Sequence, residues 1–207
     1  MFQSRRRWRP LLLTAFVAAC PLHALAAGPY DFHPQATTLE AAADKDMVTL
    51  ANDLLSGAPS DTTAIIDRNK YGGAIADAFR PLALHSKKEN VRLNAAIIIA
   101  GMHTVSTDIA LEDLVRTSTD PQVRYWAAKG LNDLLPRLKT FGKTDVQRAT
   151  DALTDAGKRE HDPIVLQEIN RALTGAGLAA LPPAPATAPE PASSPAPTPA
   201  PAAPAAH

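Results

Sequence analysis

Cysteine is almost absent: the 207-residue chain has one, Cys20. A single thiol excludes an internal disulfide framework and a cysteine metal site. Aromatic residues make up only 5% of the chain, and no apolar run approaches the roughly 18 residues of a bilayer-spanning helix. Charge of one sign is missing too, since 21 basic residues cancel 21 acidic ones. Four of those basic residues, Arg5, Arg6, Arg7 and Arg9, precede an expected cleavage site and leave 17 basic against 21 acidic side chains in the remainder. A mildly acidic chain offers no broad basic surface, so nucleic acid is not an expected partner.

What is present begins with an address. Arg5 to Pro10 form a positive region, Leu11 to Ala19 an apolar stretch and Ala24-Leu25-Ala26 a small-x-small site, the order of a secretory signal peptide. Cleavage after Ala26 is expected, with residues 1–26 removed and the mature chain periplasmic or secreted. A competing reading uses Val17-Ala18-Ala19-Cys20, similar to the bacterial lipoprotein signal. Lipidation of Cys20 would anchor the chain to a membrane; without it no membrane contact is expected. At the other end, Pro182 to His207 holds ten Pro and ten Ala among 26 residues. Such a segment has few backbone donors and little apolar bulk, so residues 181–207 are expected to form a disordered, polyproline-like tail.

Residues 27–180 should form the folded domain. Their apolar positions recur at helical spacing and never alternate long enough to suggest a sheet, which predicts an all-α fold. The clearest helix starts at Asp120-Pro121, an acceptor for orphan N–H groups followed by a residue with no N–H to lose. Val123, Trp126, Ala127, Gly130, Leu131, Leu134 and Leu135 then make one stripe, which Pro136 is expected to end. A similar stripe follows Asn90, on a helix apolar on both faces and therefore expected at the centre of the domain. A third follows Asp162-Pro163.

Weaker amphipathic helices precede these three, over residues 75–84, 109–115 and 146–156. Thr144-x-x-Gln147 reads as a capping box for the last, and Thr37-x-x-Glu40 as another for one of two further helices upstream. Tyr71-Gly72-Gly73 reads as a turn. Helix pairs recurring every 30 to 45 residues or so predict a short α-solenoid of antiparallel pairs.

The run Asp120-Pro121-Gln122-Val123-Arg124-Tyr125-Trp126-Ala127-Ala128-Lys129-Gly130-Leu131 resembles the second helix of a HEAT or HEAT-like repeat, D-x-x-V-R-x-x-A-A-x-x-L. Asn90-Val91-Arg92 to Ala96 matches as well. In the third copy Leu166 replaces the Arg and Asn170 the second Ala. The resemblance spans roughly residues 73–175. It implies scaffold and interaction modules, with a minority of bilin-lyase relatives that use a groove between repeats.

Reactive chemistry is sparse. His33, His85, His103, His161 and His207 lie in loops or near helix ends, with no H-x-x-x-H or H-E-x-x-H spacing for a metal. Asp67 to Gly72 begins like a calcium loop, but Tyr71 and Ala78 stand where ligands belong. No serine sits in a nucleophile elbow. No catalytic residue, metal or cofactor is therefore expected. What remains is a solenoid face for a protein partner, with Tyr125, Arg124 and Arg92 as candidate contacts; Tyr125 lies off the buried stripe and offers a large ring with a polar tip. Arg92 and Arg124, at equivalent positions, are expected to bridge the repeats. The sequence thus reads as a non-enzymatic envelope scaffold, or alternatively as an envelope enzyme or small-ligand carrier.

Overall fold

A computed structural model describes residues 30–60 and 64–182. The expected signal peptide with Cys20, and the Pro/Ala tail beyond Pro182, lie outside the described residues. Within them the chain is all-helical: α1 (His33–Ala41), α2 (Asp44–Ser56), α3 (Ile65–His85), α4 (Glu89–Gly101), α5 (Asp108–Thr117), α6 (Pro121–Phe141), α7 (Lys143–Gly157) and α8 (Pro163–Ala176). A single 3-10 turn, Val105–Thr107, leads into α5.

The helices pair in order, α1 with α2, α3 with α4, α5 with α6 and α7 with α8, and the pairs stack. First helices pack on first helices, α1 on α3, α3 on α5 and α5 on α7; second helices pack on second helices, α2 on α4, α4 on α6 and α6 on α8. This two-layer stack is the expected solenoid. Helix α4 touches α2, α3, α5 and α6, and Val91, Ala95, Ala96, Ile98 and Ile99 are fully buried in it. The stripe of α6 is likewise inside, with Val123, Ala127, Leu131, Leu134 and Leu135 at 0–1% exposure.

Local signals set several ends. Asp120 Oδ1 accepts from Gln122 N at 3.0 Å, and Asp162 Oδ1 from Ile164 N at 2.8 Å and Val165 N at 3.2 Å. Each carboxylate satisfies N–H groups that the first helical turn leaves without intrahelical partners.

Four expectations are corrected. Pro136 does not end α6, which continues to Phe141. Proline removes one helical hydrogen bond, but Leu138 beyond it is fully buried, and Arg137 Nη1 donates to His103 O at 2.5 Å while Lys139 Nζ donates to Gly175 O at 3.3 Å. These contacts outside the helix hold the turn that proline weakens. Tyr71-Gly72-Gly73 is not a turn but lies within α3, which starts ten residues before the expected Ile75. Gly72 serves close approach: a Cβ there would collide with Thr104 Oγ1, so only hydrogen lets α3 meet the loop after α4.

Neither capping box forms. Thr37 and Thr144 lie inside α1 and α7, whose N-terminal caps are Phe32 and Gly142 and use no side-chain oxygen. Thr37 Oγ1 instead donates to His33 O at 3.0 Å, and Gln147 Nε2 to Asp151 Oδ1 at 2.8 Å. Pro34 at the start of α1 moves that helix upstream of the Thr37 box.

Both ends of the stack are closed. At the N-terminal end Tyr71 Oη donates to Leu54 O at 2.8 Å, and the rings of Phe32 and Tyr71 meet edge-on with centroids 4.9 Å apart. Burial, reinforced by neighbouring Tyr30, pushes the Tyr71 phenol up to about 12. At the C-terminal end Gly177 ends α8 at φ 92°, and Leu178 N donates to Leu173 O at 2.9 Å. That left-handed turn sends the chain back over α8.

Candidate functional site

The candidate arginines sit where one repeat meets the next. Arg92, on the first turn of α4, donates from Nε and Nη2 to Asp120 Oδ2 at 3.2 and 2.9 Å and from Nη1 to Ser86 O at 3.0 Å. Thirty-two residues later Arg124 repeats the pattern on α6. Its Nε and Nη2 donate to Glu160 Oε2 and Oε1 at 2.6 and 2.9 Å, and its Nη1 to Ser118 O at 3.0 Å. Each fork therefore ties its own preceding loop to an acid of the following pair. The acids are deeply placed, with side chains 5% exposed at Asp120 and 2% at Glu160.

The loops share a second pattern. Ser86 Oγ accepts from Lys88 N, Ser118 Oγ from Asp120 N, and Glu160 Oε1 from Asp162 N. Glu160 thus stands in the serine position and reaches back to Arg124 as well. Burial pushes its carboxyl up, but hydrogen bonds from Arg124 and the N–H groups of Asp162 and His161 outweigh burial and hold it below the usual range. Sequence reasoning missed Glu160, because a glutamate in a serine's place signals nothing until the loops are superposed.

Tyr125 and Trp126 follow Arg124 on α6. Both are half-buried, and their rings meet edge-on with centroids 5.8 Å apart. Leu93 occupies the position of Tyr125 one repeat earlier and is also half-buried. Arg92 and Arg124 share no acceptor; each closes its own junction. Beside them Tyr125 and Trp126 are the large side chains that stay partly open.

A second ionic group, also missed, links α5 to α7. Asp108 and Glu112, one turn apart on α5, are 5% and 3% exposed. Both take hydrogen bonds from Arg148, which contacts Asp108 Oδ2 through Nη2, Glu112 Oε1 through Nε at 3.0 Å, and Asp145 Oδ1 through Nη1 at 2.9 Å. Burial pushes the Asp108 and Glu112 carboxyls up against the pull of Arg148. Neighbouring acids stay outside this group: Asp113 pairs with Arg80 and Asp133 with Lys129.

A cavity of about 330 Å³ lies where the start of α3 meets the end of α6, lined by Ile65, Arg68, His103, Val105, Arg137 and Phe141, among others. His103 beside it has a positive φ of 47°. Among the described residues no group of three or more His, Cys, Asp or Glu side chains could hold a metal ion, and no helix is long and apolar enough to cross a membrane.

Comparison with known proteins agrees with the stack. Residues 76–174, from α3 to the last turn of α8, match the family described as HEAT repeats. Neither the curated proteins nor the solved structures contain a match. HEAT repeats are generally non-catalytic scaffolds and commonly mediate protein–protein contacts. With paired helices in register, a recurring arginine fork and the matched segment in agreement, residues 76–174 of this chain carry HEAT repeats.

Proposed function

We propose that this chain is an exported, non-enzymatic binding module of a bacterial cell envelope, which docks a protein partner across α4 and α6 at Tyr125. The observation that carries the reading is the pairing of Leu93 with Tyr125 at one repeat position, both half-buried, beside arginines already engaged between repeats. An aromatic ring and an aliphatic side chain at matched positions of adjacent helices make a rigid anchor row, the kind of surface in which a few residues carry most of the affinity. Export is supported by the order of charge, apolar stretch and small-x-small site in residues 5–26.

Two measurements test this. Sequencing the N-terminus of the protein from an envelope fraction should begin at Ala27, or at a modified Cys20 if the chain is lipidated; a cytoplasmic chain starting at Met1 overturns export. Crosslinking in that fraction should capture a protein whose yield falls at least about tenfold with Leu93→Ser plus Tyr125→Ser, at unchanged helicity. Equal capture by native and variant chains overturns the docking face.

A second reading, a carrier of a small anionic ligand, is favoured by the cavity beside Arg68, His103 and Arg137. Its volume is at the lower end for ligand pockets. It requires a rise in melting temperature with at least one member of a panel of carboxylate metabolites.

A further inference from the structure

The third repeat departs from the motif at three positions, and all three meet the same stretch of chain. Leu166 takes the place of the bridging arginine, and Ile169 and Asn170 those of two buried alanines. Among the described residues no helix follows α8 to supply an acid for an arginine. Instead the chain turns at Gly177 and brings Leu181 back onto the end of the stack. Leu181 Cδ1 fills a slot at Gly157 so closely that a Cβ there would collide with it, and Ile169 Cγ2 and Leu166 Cδ1 converge on the same point. Asn170 then grips the backbone, its Oδ1 accepting from Leu181 N at 2.7 Å and its Nδ2 donating to Leu181 O at 3.1 Å.

Those two bonds read an extended peptide at one residue without regard to side chain, while the Gly157 slot selects the side chain. This combination of a main-chain clamp and an apolar pocket is how grooves hold extended ligands. The occupant is lightly attached: Leu178, Ala179, Ala180 and Pro182 are exposed, so among residues 178–182 only Leu181 docks its side chain.

We propose that Gly157, Leu166, Ile169 and Asn170 form a peptide-binding subsite for an extended segment bearing leucine, occupied in cis by Leu181. The same subsite accepts such a segment from another chain once Leu181 leaves. It uses neither Leu93 nor Tyr125, so its test does not depend on the docking face proposed above.

The probe is the capped hexapeptide Leu-Ala-Ala-Leu-Pro-Pro, the sequence of residues 178–183, carrying a fluorophore. A tethered segment competes at an effective concentration in the millimolar range, so the peptide should bind the mature chain carrying Leu181→Ser at least about tenfold more tightly than the native chain. Replacing its second leucine by serine, or adding Gly157→Ala or Asn170→Ala to the protein, should abolish binding. Equal affinity for native and Leu181→Ser chains, no binding to a folded Leu181→Ser chain, or binding that survives Gly157→Ala overturns the proposal. Should Leu181→Ser fail to fold, the native chain still decides. Excess peptide should speed hydrogen exchange of the Leu181 amide at least about tenfold by displacing it from Asn170; unchanged exchange overturns the proposal.

Discussion

The junction at Arg124 and the junction at Arg148 each place one guanidinium between repeats, yet they differ in how charge is matched. At Arg124 one buried carboxylate, Glu160, meets one guanidinium and two backbone N–H groups, those of His161 and Asp162. Both of its oxygens have donors. At Arg148 three carboxylates face one guanidinium whose side chain is 34% exposed. Two of these acids are buried and share Arg148 as their main cation, with Arg116 adding only a weaker pull on Glu112. The lesson is that an arginine between repeats stabilises through the balance of donors and charge around it, not through its presence.

The largest effect should follow from breaking the balanced junction. Arg124→Ala leaves Glu160 buried at 2% side-chain exposure with only the two backbone donors. Removing one partner of a buried pair costs about 3 kcal/mol, read in urea denaturation as a lower midpoint with an unchanged slope. Arg148→Ala should cost less, about 1–2 kcal/mol at pH 7, because Arg148 itself is partly solvated. That cost should shrink toward pH 5, where the stranded Asp108 and Glu112 take up protons, and denaturation at both pH values measures the difference. An Arg148→Ala cost that equals that of Arg124→Ala and does not change with pH would erase the comparison.

Why the arginine of one junction was legible in the sequence, while the distant acids of both were not, follows from distance along the chain. Arg92 and Arg124 recur at fixed places in a motif, and Asp120 and Asp162 announce helix starts through neighbours two residues away. Period and capping are local, so the stripes of α4, α6 and α8 could be read directly. Arg148 lies 36 residues from Glu112 and 40 from Asp108, a separation at which no pattern links them. The first half of α3 was hidden for a related reason. Asp67 to Gly73 is polar and glycine-containing, and what holds it helical is outside contact: Tyr71 to Leu54 O, Ser106 Oγ to Asn69 O at 2.6 Å, and the approach of Thr104 to Gly72. In the third copy the unusual Leu166 and Asn170 were visible, but their purpose appears only when Leu181 folds back on them.

The smallest effect carries the sharpest sign. The Glu112 carboxyl lies above its ordinary range in the folded chain, so the folded state binds its proton more tightly than the unfolded state does. Stability from this group is therefore present at low pH and is lost as pH rises through the window above about 4.3, the unfolded value. Glu160 behaves oppositely: its carboxyl lies below the ordinary range, and its contribution, present at neutral pH, is lost as pH falls below about 4.3. Glu112→Gln should accordingly leave stability at pH 7 unchanged or raise it by up to about 1 kcal/mol, by removing a desolvated charge from a group with too few cations. Glu160→Gln removes the charged partner of Arg124 and should lower stability at the same pH by about 1–2 kcal/mol. Thermal unfolding of both variants between pH 4 and 7 separates them, since their differences from the native chain should diverge as pH rises. Two glutamates at junctions of the same stack, each losing only its charge, would then move stability in opposite directions because one has donors to match its burial and the other does not.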